Sequence, residues 1–250
     1  MKIKYRINET VSTNGLVLIA PTCISSKSLS VLQEIAWEDG KKLLSFYEST
    51  LAESLDQLLC TFCDLNGVKK EEALLVFPGA SAVDVCRGSV FKDSYTYKHV
   101  YAKRFWFPDQ DPVVTVGEIY TRRFINSGIR AILVLDDVIS SGQTLVKLRE
   151  RNAWKFPNAV WHAGSWITRK NSLKGYETLY SSLLVAHSSD KGLKVPINSL
   201  STLCECGGED VRRAYATKHF KRLSEDFLKF FEKVVVKEWI TRPGISDSCY

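Results

Sequence analysis

Apolar residues enter this chain in two rhythms, short unbroken runs and helical spacings, and the order in which they alternate sets the architecture to expect. Leu16-Val17-Leu18-Ile19-Ala20-Pro21 reads as a short buried strand after a polar lead. Residues 28–65 switch to helical spacing, with Leu29, Leu32, Ile35, Ala36, Leu43, Phe46 and Tyr47 followed by Leu51, Leu55, Leu58, Leu59 and Phe62. That spacing predicts one broken helix or two consecutive helices, closed by Asn66-Gly67 as a C-cap.

Ala73-Leu74-Leu75-Val76-Phe77 predicts a second strand, running directly into a glycine loop, Pro78-Gly79-Ala80-Ser81-Ala82, ahead of a helix through Val85. Residues 89–107 interleave aromatic and basic side chains. Alternation at positions 95, 97, 99 and 101 fits a β-hairpin with one apolar face, and the interleaving also fits a platform for single-stranded nucleic acid. Residues 112–126 read as a helix, with Val113, Val116, Ile119, Tyr120 and Phe124 on one side. Ile132-Leu133-Val134-Leu135 suits a central strand of a parallel sheet, buried on both faces. Residues 160–167 make a further strand, and residues 209–239 form an amphipathic helical tail with Tyr215, Phe220, Leu223, Phe227, Leu228, Phe231 and Val235 on one side.

Strand, loop, helix and strand in that order over residues 73–136 imply right-handed parallel crossovers, with both loops on one edge of the sheet. The expected fold is α/β: an open, mostly parallel twisted sheet with flanking helices, extra N-terminal helices and a C-terminal helical tail. Its organisation is expected as an N-terminal strand and helical segment at 1–66, an α/β core at 67–195 and a C-terminal helical region at 196–250.

Candidate chemistry concentrates where the apolar run at 132–135 ends. Asp136 and Asp137 are followed by Val138, Ile139 and the small, hydroxyl-rich Ser140-Ser141-Gly142-Gln143-Thr144, after which Leu145, Val146 and Leu148 begin a helix. Open α/β folds bind ligands at the carboxyl ends of their strands, and the free amides of a helix N-terminus attract anions. Two adjacent carboxylates call for something polyhydroxyl or cationic between them, whereas a phosphate calls for donors. The stretch therefore reads as a sugar-phosphate site. The plainer alternative is a strand end at which Asp137 or Ser140 only caps a helix.

This stretch resembles the phosphoribosyl pyrophosphate (PRPP) signature of type I phosphoribosyltransferases: an apolar strand, two acidic residues, two apolar residues, a small residue, then Thr-Gly-x-Thr. It departs at Ser141, which stands where the family usually has Thr. The resemblance implies the fold of that family. It implies that Asp136 and Asp137 hold the ribose hydroxyls, directly or through Mg²⁺, while Ser140, Ser141, Gly142, Gln143 and Thr144 cradle the 5′-phosphate. It further implies a pyrophosphate loop at Gly79, Ala80 and Ser81 with help from Arg87, and a flap carrying Lys98, His99, Lys103 and Arg104. The reaction implied is displacement of pyrophosphate from C1 of PRPP by a nitrogen nucleophile through an oxocarbenium-like transition state. In it, the aspartates serve as ribose anchors more than as general acid and base.

Ser140 occupies the position at which relatives acting on 6-oxopurines commonly carry Asp, so a typical 6-oxopurine acceptor is disfavoured. A base-binding hood would come from residues 10–28 or 204–219, and Trp154, Trp161 and Trp166 are aromatic rings that either stack a base or belong to the core. Dimers are common in the family. The extra terminal segments leave a second reading, a regulator or effector subunit of the same fold in a larger protein or nucleic-acid complex such as a bacterial defence or toxin system.

A net charge of +6 and a pI near 8.9 suit an anionic ligand, whether PRPP, a nucleotide or nucleic acid. No apolar run approaches the ~20 residues that span a bilayer, and the basic start, Met1 to Arg6, is not followed by an apolar segment, so a cytoplasmic protein without a membrane partner is expected. Cys60 and Cys63 are expected to help fill the core from a helix; alternatively they join Cys204 and Cys206 around Zn²⁺.

Overall fold

The computed structural model describes residues 2–6, 10–11, 16–79, 82–83, 86, 94–105, 113–120, 128–139, 141–168, 179–189, 197–205 and 208–241. The N-terminal part holds β1 (Lys2–Arg6), β2 (Thr10–Val11), β3 (Leu16–Ala20), α1 (Ser26–Glu38), β4 (Leu43–Tyr47) and α2 (Glu48–Asn66). Then come β5 (Ala73–Pro78), β6 (Thr96–Val100), β7 (Ala102–Phe105), β8 (Val113–Val116), β9 (Ala131–Ile139), α3 (Gln143–Asn152), β10 (Val160–Thr168) and β11 (Ser182–Ser189). The chain continues with β12 (Ile197–Ser199), α4 (Leu200–Glu205), α5 (Gly208–His219), α6 (Ser224–Phe230) and α7 (Val236–Ile240), the last two joined by a π-helical turn at Phe231–Val235.

β9 is the axis of the main sheet. Its strand order is β1-β11-β10-β9-β5-β6, with β2 beside β11, and every pairing in it is parallel. Ala131–Leu135 are all buried, because both faces of the strand are covered. Leu133 and Leu135 pack with Leu58, Leu59 and Phe62 of α2, while Ile132 and Val134 pack with Leu145 and Leu148 of α3. A parallel sheet covered on both faces is what an unbroken apolar run encodes. The α/β class and the mostly parallel sheet are thus as the sequence led one to expect.

Three segments differ from expectation. Leu43, Phe46 and Tyr47, which fit helical spacing, lie in β4, paired in parallel with β3 from Leu16↔Leu43 to Ala20↔Tyr47. α1 ends before them: Gly40, with φ +76°, lets its own N–H reach Trp37 and the Lys41 N–H reach Ala36, and the chain reverses. Residues 113–116, expected as the start of a helix, form β8, antiparallel to β7. The β-branched Val113-Val114-Thr115-Val116 run prevails over the helical spacing of Val113, Val116 and Ile119. The hairpin expected around 95–101 is displaced along the chain. Residues 96–100 extend the main sheet as β6, parallel to β5, and the hairpin is made by β7 and β8.

A second, three-stranded parallel sheet, β12-β3-β4, joins segments from opposite ends of the chain. β3 is buried on both faces: Val17 and Ile19 belong to the core shared with α2 and the main sheet, whereas Leu16, Leu18 and Ala20 pack with α1 and the C-terminal helices. Polar ties reinforce this closure. The Glu238 carboxylate accepts from the Ser25 N–H at 3.1 Å, the Ser25 hydroxyl at 2.8 Å and the Ser28 hydroxyl at 2.9 Å, occupying the N-terminus of α1. Arg212 pairs with Glu232 through two of its nitrogens and donates to the Leu203 carbonyl at 3.2 Å.

Asp39, at the end of α1, is buried and accepts the backbone N–H groups of Lys221 at 2.8 Å, Arg222 at 2.7 Å and Leu223 at 3.2 Å. Burial alone would raise its pKa, but these three donors and Lys41 outweigh it and hold the carboxyl below its ordinary 3.8. A carboxyl lowered on folding stabilises the protein above its unfolded pKa and ceases to do so as the pH falls through the folded value. Asp39→Asn is therefore expected to cost about 1–3 kcal/mol at pH 7. Thermal unfolding followed from pH 7 to pH 3 checks it, because the gap between wild type and variant should narrow below the ordinary carboxyl range.

Candidate functional site

The strand order reverses once inside the core of the main sheet. From β5 the chain moves outward to β6, then crosses back to β9 on the other side and proceeds to β10 and β11. Such a reversal opens a crevice beyond the carboxyl ends of the two inner strands, because their following loops leave in opposite directions. Both loops singled out from the sequence begin there.

β5 ends at Pro78, and Gly79 follows with φ +76°, a backbone conformation that side-chain-bearing residues rarely adopt. A Cβ on Gly79 would come within 3.3 Å of the Ala102 carbonyl oxygen. Ala80, Ser81 and Arg87 lie outside the described residues.

β9 does not stop at its acidic pair but runs on to Ile139, so Asp136 and Asp137 are strand residues near its end. Asp136 is half-buried and Asp137 is 6% exposed. Ser140 lies outside the described residues, and Ser141 is exposed. Gly142, buried and at φ +74°, is the N-cap of α3, and no side chain caps the helix there. Gln143 and Thr144 occupy the first turn, which carries no acidic residue, whereas Arg149 and Arg151 occupy the last. The amide end of α3 is thus positive and uncancelled by a carboxylate of its own.

Sequence reasoning did not identify the residues that hold this arrangement from behind. Ser165 on β10 is fully buried; its Oγ accepts the Ile139 N–H at 3.3 Å and donates to the Asp137 carbonyl at 3.4 Å. Its neighbour Gly164 pairs with Leu135, and a Cβ there would lie 2.6 Å from Leu135 Cδ2. Tyr180, buried ahead of β11, donates its hydroxyl to the Leu145 carbonyl at 2.7 Å, anchoring the first turn of α3. Burial, with the Asp136 charge adding to it against the opposing charge of Arg149, pushes the Tyr180 phenol well above its usual pKa, so it remains a donor. The signal available for Ser165 was a hydroxyl in a strand otherwise too buried to want one.

The proposed flap residues are divided between two sheets. Lys98 and His99 belong to β6, paired with Val76 and Phe77 of β5, and the His99 ring lies 5.9 Å from Phe77 and 5.5 Å from Tyr97. Lys103 and Arg104 lie in β7, opposite Thr115 and Val114, and the Lys103 ammonium stands 5.6 Å over the Phe105 ring. Of the tryptophans, Trp161 is core, edge-on to Phe156 and Tyr180, and Trp154 is exposed.

Cys60, expected to fill the core, is exposed on α2, while Cys63 is half-buried with its Sγ 3.5 Å from the Tyr95 hydroxyl. Among the described residues no group of three or more His, Cys, Asp or Glu side chains is arranged to hold a metal ion. Mg²⁺ commonly takes one or two carboxylates and completes its shell with substrate phosphates and water. The acidic pair fits a Mg²⁺ that arrives with a phosphorylated ligand.

No protein-family model matches the chain, and no curated protein sequence matches it. Solved structures similar to it include a xanthine-guanine-hypoxanthine phosphoribosyltransferase from Helicobacter pylori, with 17% identity over 60% of this chain and 86% of that one, at a TM-score of 0.42. A purine phosphoribosyltransferase from Pyrococcus horikoshii has 12% identity over 60% of this chain and 85% of that one, at 0.40. An adenine phosphoribosyltransferase from Thermoanaerobacter pseudethanolicus has 10% identity over 53% of this chain and 76% of that one, at 0.35.

Proposed function

We propose that this chain is a divergent phosphoribosyltransferase-like protein that binds PRPP or a nucleotide with Mg²⁺ and transfers phosphoribose to a nitrogenous acceptor, not a typical 6-oxopurine, with release of pyrophosphate. One observation carries the reading: the acidic pair, the uncapped N-terminus of α3 and the Gly79 turn all fall at the point where the sheet order reverses between β5 and β9.

The chemistry follows from the two ends of that crevice. The amides and hydroxyls of residues 141–144 offer donors to a 5′-phosphate, and the α3 dipole favours its charge. Asp136 and Asp137 offer acceptors to the ribose hydroxyls and stabilise the positive charge that grows on the sugar as the bond from C1 to pyrophosphate breaks. Holding the sugar at both ends is itself a large part of the catalysis, since it restricts the reacting carbon to an attack geometry. Bound Mg²⁺ would supply charge neutralisation for the leaving pyrophosphate, and Asp136 and Asp137 are the residues that would hold it alongside the ligand's own oxygens.

Calorimetry of the wild-type chain with PRPP and Mg²⁺ is expected to give saturable binding. Pyrophosphate release is then measured across a panel of acceptors that includes adenine and orotate. Release with any acceptor supports transfer. Binding without release across the whole panel assigns the site to a regulator or effector that senses PRPP or a nucleotide, and no binding at all ends the reading.

A further inference from the structure

We infer that Ser165 is a positioning residue for the acidic pair: its hydroxyl fixes the β9 backbone at Asp137 and Ile139, where the two faces of the strand exchange, and so sets the direction of Asp136 and Asp137 towards a common ligand. The inference rests on the ribose-phosphate reading of the site.

The exchange is visible in which core each residue joins, and it occurs without a shift of register: the β9–β10 ladder keeps one offset from Val160↔Ala131 to Thr168↔Ile139 and omits only the pair of Trp166 with Asp137. Leu133 and Leu135 pack on the α2 side of the sheet, and Ile132 and Val134 on the α3 side, as strict alternation demands. Continued regularly, the pleat would send Ile139 to the α2 side and Val138 to the α3 side. The reverse occurs: Val138 packs against the α2-side core and Ile139 belongs to the α3-side core. The faces have exchanged over Asp136 and Asp137. An unbroken pleat would direct adjacent carboxylates to opposite faces, separated by the thickness of the sheet, where they could not share one sugar.

Ser165 is the group that bridges the exchange. It pairs with Asp136 in the β9–β10 ladder, and its hydroxyl spans the backbone on both sides of Val138, accepting from the Ile139 N–H at 3.3 Å and donating to the Asp137 carbonyl at 3.4 Å. The residue is fully buried, so water does not compete for these bonds. The preceding Gly164 leaves room for Leu135, the last residue before the exchange of faces, which a Cβ would meet at 2.6 Å.

The test separates the acidic half of the site from the phosphate half. Wild type, S165A and S165T are titrated with PRPP plus Mg²⁺ and, separately, with inorganic phosphate. S165A is expected to bind PRPP about tenfold more weakly, the effect of losing a supporting hydrogen bond behind a ligand-binding group, with phosphate affinity within about twofold of wild type. S165T keeps the hydroxyl and is expected to recover most of the PRPP affinity. Equal losses for both ligands, or unchanged PRPP affinity in S165A, would overturn the positioning role. A wild-type protein that binds no PRPP would instead sink the ribose-phosphate reading.

Amide hydrogen exchange needs no ligand. S165A is expected to lose protection at Ile139 and its immediate neighbours while Ile132 to Leu135 keep theirs. Unchanged protection at Ile139 would overturn the claim that the hydroxyl fixes this backbone.

Discussion

Replacing Asp136 and Asp137 together by asparagine is expected to weaken binding of PRPP with Mg²⁺ by roughly 100-fold or more while leaving the fold intact. Each carboxylate offers charge-assisted acceptors worth about 1.5–3 kcal/mol, and each 1.4 kcal/mol is about a tenfold change in affinity. Asparagine keeps the shape of aspartate but removes the charge that the proposed function requires for the sugar and its accompanying Mg²⁺. Stability should change little, because a buried carboxylate such as Asp137 already bears a desolvation cost that the neutral amide escapes. Calorimetry and thermal unfolding on the same preparation decide the matter. Undiminished affinity in a folded double variant would remove the acidic pair from the site. A collapse of stability would reassign it to the scaffold.

Phe227→Ala carries the second large effect. Phe227 is fully buried on α6, its ring centroid 4.4 Å from Phe220, 5.5 Å from Phe231 and 5.7 Å from Tyr215. Truncating such a side chain removes its transfer free energy and leaves a cavity that the surrounding rings cannot fully close, a loss of about 3–5 kcal/mol. The distribution of the effect is as informative as its size. Leu16, Leu18 and Leu32 share the core of Phe227, so amide exchange should accelerate in β3 and α1 as well as in α5 and α6. Loosening confined to the C-terminal helices would mean that the two ends of the chain do not form one cooperative unit.

Runs and spacings made the centre of this protein legible. Ala73–Phe77 and Ile132–Leu135 could be read as parallel strands because each is apolar on both faces, and a strand covered by helices on both sides has no polar face to display. Gly79 and Gly142 could be read as loop glycines because each follows such a strand, and both adopt positive φ. Leu43–Tyr47 is ambiguous in the sequence because five residues can satisfy a helical spacing and a strand equally well, and only pairing with β3 separates the two. Val113–Val116 is ambiguous for the same reason, with β7 as the deciding partner.

By itself the sequence determined the α/β class, the parallel strands and the order in which acids, small residues and glycine follow β9. These are local properties, set by the period of apolar residues and by backbone freedom at particular positions. Only the tertiary structure decided that β5 and β9 are neighbours across the reversal of the sheet, that residues 16–47 and 197–241 share one core, and that a serine on β10 bridges the backbone behind the acidic pair. Those are relations between segments distant along the chain. They depend on which surfaces meet when the apolar faces are buried, and no window of neighbouring residues contains them.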